Sequence, residues 1–363
     1  VSVPGSAEKL KNDLASNSGS GMLKTSRGDT VEEELTFINQ NMVVQISDFA
    51  SLRTLVPATA GIRVKLKGYY SGSEIGGGEF ISVAGDAVDD AGMIARVSSS
   101  FYWKRIIDKH ITPGMYGIKG NLPEDPAVKL NAMFTAAAAA NAYVLLNDVD
   151  TLVCKSPVVI PAHSLVYGNK RTILKRDASL SYANDFLTIM NDSYVKGIYV
   201  DGSRLDSQTP LEAVLVRIAG NVTIHKSEIR NNAGYGVVGN AVPGIRITKN
   251  IFSNFAKGCV AMFGDGTATS DDLQINDNRF FNLGAGTIYV GGYSNFLVDK
   301  NVGRGTYVGS PGNRLYVVTN TNGTITQSAG PDFGPLKTGM FFVLPGGSEH
   351  MITAVNSLTS VTV

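Results

Sequence analysis

The sequence predicts an all-β chain whose main body is a parallel β-helix, a solenoid of stacked strands. A small β domain precedes it and a small antiparallel β unit follows it. Three observations predict this. First, a short phrase recurs between residues 195 and 304: apolar, any residue, apolar, then a small polar residue three positions later. Second, another strand-like segment running up to a glycine follows each of the first four copies. Third, hydrophobic residues make up 43% of the chain, charged residues only 17%, and there are 40 glycines, a strand- and turn-rich composition.

The copies are Ile198-Tyr199-Val200 with Ser203, Val222-Thr223-Ile224 with Ser227, and Ile245-Arg246-Ile247 with Asn250. Leu273-Gln274-Ile275 with Asn278 and Phe296-Leu297-Val298 with Asn301 complete the set. The second apolar position falls at 200, 224, 247, 275 and 298. A period in this range marks a solenoid, because one repeat cannot bury its apolar face alone and must stack on its neighbours. The second segments are Ala213–Ile218, Gly236–Val238, Val260–Phe263 and Thr287–Val290. Two or more strands in a turn of about 24 residues is β-helix geometry, and the Leu-x-x-Leu-x-Leu phrase of leucine-rich repeats is absent. Ser227, Asn250, Asn278 and Asn301 then read as a structural polar ladder at a corner.

The other elements follow in order. Residues 1–40 read as a polar linker that becomes a helical arm, with Val31, Leu35 and Ile38 at helical spacing. Residues 41–110 form a small β domain with strands Val43–Ile46, Ile62–Lys67, Glu79–Val83, Ala95–Val97 and Trp103–Ile107. Within it, Gly76-Gly77-Gly78 suits positive φ or close backbone approach rather than a phosphate cradle, since neither a helix nor Lys-Ser/Thr follows. The β-helix takes residues 111–310. It opens with a capping helix that starts at Asp125 as N-cap and Pro126 at the first helical position, and continues through Val128, Leu130, Met133 and Phe134. Covering the first turn shields strand edges that would otherwise pair with other chains. Residues 311–363, including Leu315–Thr319 and Met340–Leu344, read as the antiparallel unit, and Val361-Thr362-Val363 looks like the middle of a strand, as if the chain were a piece of something longer.

Composition also excludes function classes. A net charge of +1 without a basic block gives no general attraction to nucleic acid or anionic membranes. No apolar run of about 18 residues is present, so no inserted helix is expected, and no secretory segment is visible. Cys154 and Cys259 make neither a disulfide framework nor a metal-ligand spacing. No metal or cofactor is expected.

Several short motifs resemble a known family. Phe49-Ala50-Ser51-Leu52-Arg53, Lys67-Gly68-Tyr69-Tyr70, Gly76-Gly77-Gly78-Glu79-Phe80 and Tyr102-Trp103-Lys104-Arg105 resemble the domain preceding the β-helix in many bacteriophage tailspikes and capsule depolymerases. Tyr116-Gly117-Ile118-Lys119-Gly120, the helix, Ser156-Pro157 and Ile160-Pro161 resemble the first turns of the pectate-lyase-like right-handed parallel β-helix. The usual Gly-Asp-Gly-x-x-Asp-Asp phrase is replaced by Gly120-Asn121-Leu122-Pro123-Glu124-Asp125. That motif is structural, so the resemblance transfers no catalytic residue. It implies a homotrimeric virion spike on the phage tail. Such a spike attaches to the tail, baseplate or other tailspikes through its N-terminal region. It binds, and often cleaves, an O-antigen or capsule polysaccharide at the bacterial surface.

Register then nominates site residues. If Val200, Ile224 and Ile247 point inward, their neighbours point outward. That reading puts Tyr199, Asp201, His225, Glu228 and Arg246 on one patch, beside an insertion carrying Arg204, Asp206 and Glu212; a second insertion carries Asp265. Glycosidases need two carboxyl groups, about 5–5.5 Å apart for retention or about 6.5–9.5 Å for inversion. Asp201 and Glu228 are the first pair, with Asp206 or Asp265 as substitutes. Tyr199, His225, Arg246 and Glu212 are the substrate-binding candidates: Tyr199 to stack on a sugar, Arg246 to grip an anionic one, His225 to position a proton. Elimination stays open, with Tyr199, His225 or Lys226 as base. A spike that only binds its receptor, or a purely structural tail protein, is the alternative outside enzymes.

Overall fold

The computed structural model describes residues 43–120, 123–181, 184–203, 213–232, 234–255, 257–264, 270–283, 288–293 and 295–304, residue 30, and short strands between 316 and 362. The helical stripe Val31, Leu35 and Ile38 lies outside the described residues. The chain divides into two compact units, one reaching Ile106 and the other built mainly from residues 107–363.

The first unit is a five-stranded sheet ordered Val44–Ile46, Arg63–Leu66, Gly78–Ala84, Phe101–Ile106, Ile94–Arg96. Alternation along Arg63–Leu66 and Phe101–Ile106 sends Val64, Leu66 and Trp103 inward. Helix α1, Phe49–Thr54, is capped by Asp48, whose side chain accepts from the Ser51 N–H, and it buries Phe49 and Leu52 against that sheet. Fully buried Trp103 donates from its indole N–H to the Leu55 carbonyl at 2.8 Å, so the ring is buried without an orphaned donor. At Gly77 a Cβ would collide with the Lys67 carbonyl, while Gly76 and Gly78 adopt positive φ of 78° and 144°, so each glycine of the triple has its own backbone reason.

The second unit is the β-helix. Among the described residues, seven stacked turns each contribute one strand to each of three parallel sheets. The first sheet runs Tyr143–Leu146, Leu165–Gly168, Tyr194–Lys196, Thr223–His225, Ile245–Thr248, Leu273–Asn276, Phe296–Asp299, with His110–Ile111 ahead of it. The second runs Thr151–Cys154, Ile173–Arg176, Tyr199–Asp201, Glu228–Asn232, Ile251–Phe255, Arg279–Leu283, Val302–Arg304. The third runs Val158–Ile160, Leu187–Ile189, Val214–Ile218, Tyr235–Asn240, Gly258–Phe263, Ile288–Gly291, Tyr316–Val318.

Inward columns fill the bore. Val144, Val166, Val195, Ile224, Ile247, Ile275 and Val298 form the first column, each at most 2% exposed. On the second sheet Phe252 and Phe280 stack at 5.2 Å. Helix α2, Pro126–Ala139, begins at Asp125 as expected, and buries Leu130, Met133 and Phe134. Its Asn131 accepts from the Val159 N–H and donates to the Pro157 carbonyl, so it pairs the edge of the first turn.

Two readings need correction. The opening copy of the phrase is out of register: the partner of Ile224 is Val195, whereas Val200 sits on the second sheet opposite Ile229. Tyr194-Val195-Lys196 hides because Ser193 stands where the later copies carry the first apolar residue, as at Val222, while Ile198-Tyr199-Val200 imitates the pattern one sheet further on. The polar ladder accordingly starts at Ser227, which receives the Ile198 N–H; Ser203 is not part of it. Secondly, Tyr316–Val318 pairs in parallel with Tyr289–Gly291, so this strand extends the β-helix rather than the terminal antiparallel unit. Beyond it, Phe341–Val343 pairs antiparallel with Glu349–Met351, and Ala354–Ser357 with Ser360–Thr362.

Candidate functional site

The corrected register splits the nominated patch between two sheets. Asp201 lies opposite Arg230, and Tyr199 opposite Glu228, on successive turns of the second sheet. His225 and Arg246 belong to the first sheet, across a corner. Asp201 and His225 therefore do not share a column, and neither do Tyr199 and Arg246.

On the second sheet the side chains converge on Arg230. Asp201 Oδ2 accepts from Arg230 Nε at 3.3 Å, and Glu228 Oε1 lies 3.9 Å from Arg230 Nη1. The guanidinium lies 4.4 Å from the Tyr199 ring centre, a cation–π contact. The Asp201 side chain is 9% exposed and Glu228 24%. Asp201 Oδ1 also accepts from the Ser203 N–H at 2.8 Å and from Asn231 Nδ2 at 2.9 Å. Asn254 donates to Asn231 in turn, which makes a second polar stack, Asp201–Asn231–Asn254, over three turns. Buried Asp201 is thus an anchor that orients Arg230, while Glu228 is the more accessible carboxylate. Tyr199 is buried, and its hydroxyl has no hydrogen-bond partner among the described residues.

Sequence reasoning missed Arg230 and Asn231. The signal was present as Ile229-Arg230-Asn231 one turn above Val200-Asp201-Gly202, but the misaligned first copy concealed it.

Across the corner, His225 Nδ1 lies 2.7 Å from Thr248 Oγ1. Burial, then the nearby charges of Lys226, Lys196 and Lys249, hold its pKa below the ordinary histidine value. Arg246 is already engaged by Asp272 at 2.6 Å, so a sugar carboxylate would have to displace that partner. Asp206, Glu212 and Asp265, with Arg204, lie outside the described residues. Among the described residues no group of three or more His, Cys, Asp and Glu side chains could hold a metal, and no helix is long and apolar enough to cross a membrane.

Comparison with known proteins follows the same division. Residues 45–108 match the phage tail protein small four-stranded beta-sheet domain, and residues 166–322 match the right handed beta helix region. The chain is 42% identical over 67 residues to the amylovoran biosynthesis protein AmsF of Erwinia amylovora, covering 18% of this chain and 9% of that one. It is 37% identical over 83 residues to the capsule KN4-specific depolymerase of Klebsiella phage KN4-1, covering 22% and 10%. The chain therefore spans only about a tenth of either relative's length. Among solved structures, it resembles WceF of Pantoea stewartii, a glycan biofilm modifying enzyme with a bacteriophage tailspike-like parallel β-helix fold. That match has a TM-score of 0.56 and 15% identity, over 88% of this chain and 54% of that one. The fold of this chain is a tailspike-like right-handed parallel β-helix preceded by a small phage-tail β-sheet domain.

Proposed function

We propose that the chain is part of a phage tailspike that binds and depolymerises a bacterial surface polysaccharide, O-antigen or capsule, by glycoside hydrolysis. The observation that carries the chemistry is the gathering of Asp201 and Glu228 around one guanidinium, on adjacent turns beside an insertion. Asp201 and Glu228 are diagonal neighbours, one turn apart and two residues apart along the strand. A spacing of about 4.8 Å between turns and about 3.3 Å per residue separates their backbones by roughly 8 Å, within the wider range that inverting glycosidases use. Glu228 meets the sugar, Asp201 is the second carboxylate, and Arg230 and Tyr199 form the floor beneath it. Asp206, Asp265 and Glu212 remain candidates to complete the site from the insertions. Residues 1–40 and 41–110 attach a homotrimer to the phage tail, residues 111–310 carry the site, and residues 311–363 add the small antiparallel unit. The phage-tail match over 45–108 and the depolymerase relative support this arrangement.

One observation favours elimination as a second reading. His225, held neutral near neutral pH, is a base in waiting if the sugar is acidic. A single assay separates the readings: incubate the protein with a panel of host O-antigen and capsule polysaccharides. New reducing ends without ultraviolet absorbance of an unsaturated product mean hydrolysis, and with it mean elimination. Binding without either product makes the protein a non-enzymatic receptor binder. Neither binding nor cleavage overturns the proposal. Under hydrolysis, Asp201→Asn and Glu228→Gln each abolish cleavage while the fold is kept. Full activity in both refutes this choice of site.

A further inference from the structure

The outward face of the first sheet carries a feature that the Arg230 cluster does not use. Four rings follow one another up its first turns. His110 to Tyr143 is 5.7 Å between centroids, Tyr143 to Tyr167 is 5.6 Å, and Tyr167 to Tyr194 is 5.9 Å. All four are half-buried: their neighbours hold them in place while part of each ring meets solvent. A continuous aromatic strip on the outside of a solenoid contributes nothing to the bore, whose inward column on this sheet is wholly aliphatic. Rigid rings held by their neighbours offer flat apolar contact at little cost in side-chain entropy.

Above the rings the same face turns cationic. Lys196 stands one turn above Tyr167 in the same outward column, and His225 one turn above Lys196. Lys226 and Lys249 are exposed at the adjoining corner, one turn apart. Both adopt left-handed backbone, φ 50° and 58°, where the preceding turn has Gly197 at φ 69°. Glycine or asparagine would fit these positions more cheaply, so lysine adds charge there at the expense of backbone comfort. None of the three lysines forms an ion pair among the described residues, whereas Lys129 and Lys300 do. The positive run ends at the next corner residue, Asp277.

We propose that this face is a binding strip for an acidic polysaccharide, whose sugar rings stack on Tyr143, Tyr167 and Tyr194 and whose uronate carboxylates pair with Lys196, Lys226 and Lys249. Charge complementarity names the occupant: a run of uncompensated cations one turn apart suits a chain with regularly repeated acid groups. The rings select a polymer with apolar flat faces over a simple polyanion. The proposal rests on the polysaccharide reading above and supplies its substrate class.

The test uses affinity electrophoresis of the full chain in gels containing polygalacturonate, neutral dextran or single-stranded oligo-dT. Polygalacturonate retards the protein and dextran does not. The double variant Lys226→Gln/Lys249→Gln weakens retardation roughly tenfold, and added salt narrows the gap between the two proteins. Tyr167→Ala weakens it by a similar factor without altering the salt dependence. Equal retardation by dextran, tighter binding of oligo-dT, no retardation by polygalacturonate, or an unaffected lysine variant each overturn the strip. Cleavage of a host polysaccharide that is insensitive to the lysine and tyrosine variants sinks the strip alone and spares the depolymerase reading. Loss of all polysaccharide binding in the host panel sinks both.

Discussion

The buried ladder at the first corner makes a quantitative prediction. In Asn278→Ala, four hydrogen bonds disappear together. Asn278 Oδ1 accepts from the Asn250 N–H at 2.9 Å and from Asn250 Nδ2 at 3.1 Å, while its Nδ2 donates to the Ile247 carbonyl at 2.8 Å and to Asn301 Oδ1 at 3.0 Å. Asn278 and Asn250 are fully buried. Truncation strips a buried N–H and a buried carbonyl of these partners, at about 1–3 kcal/mol each. The expected loss is about 3 kcal/mol if water partly repairs the gap and up to about 6 kcal/mol if it does not. Near the lower figure, Tm falls by roughly 6–12 °C for a unit of this size. Ser227→Ala is the internal control. Its hydroxyl makes two longer bonds, 3.3 Å from the Ile198 nitrogen and 3.2 Å to the His225 carbonyl, so the cost is about 1 kcal/mol. Thermal and denaturant unfolding of both variants decides the matter. An Asn278→Ala loss no larger than that of Ser227→Ala would refute the claim that the ladder satisfies corner backbone no other group reaches.

Three further outcomes are expected. Gly197→Ala brings a Cβ onto the Gly168 carbonyl at left-handed φ, so it lowers Tm more than Gly303→Ala, where no atom of the described residues lies within 4 Å of the added carbon; equal shifts would contradict the close packing of that corner. The depressed pKa of His225 means the folded state prefers neutral imidazole, so its contribution is whole above the unfolded pKa of about 6.5 and is withdrawn as pH falls through it. His225→Gln should therefore flatten the loss of stability on acidification, and an unchanged pH profile would contradict it. Cys154 and Cys259 are buried thiols whose pKa values burial pushes up; a thiolate reagent should label neither until the protein unfolds, and full labelling of the native state would show the turns opening.

The fold was legible because a parallel β-helix repeats its reasons for folding. Each turn must supply one inward aliphatic residue per strand, so Ile224, Ile247, Ile275 and Val298 announced the first sheet on their own. Asn250, Asn278 and Asn301 announced the corner, since a buried corner needs a side chain that both donates and accepts. Asp125-Pro126 announced the helix start through capping chemistry alone. The site was less legible. Asp201 and Glu228 were named together, and the structure does bring both to one guanidinium. Their companions were misassigned, because Tyr194-Val195-Lys196 lacks the flanking aliphatic residue and Ile198-Tyr199-Val200 supplied a counterfeit.

Sequence alone determined the period, the inward residues Ile224, Ile247, Ile275 and Val298 of the first sheet, the polar ladder and the capping helix, all set by local alternation and by backbone groups that must find partners. Only the tertiary structure decided which strands are neighbours. Alternation says that a side chain points outward, but a one-strand slip moves it to another sheet, and nothing local penalises the slip. Stacking removed Asp201 from His225 and set it against Arg230. It joined Tyr143, Tyr167 and Tyr194, scattered over 52 positions of sequence, into one strip that ends on the strand of Lys196.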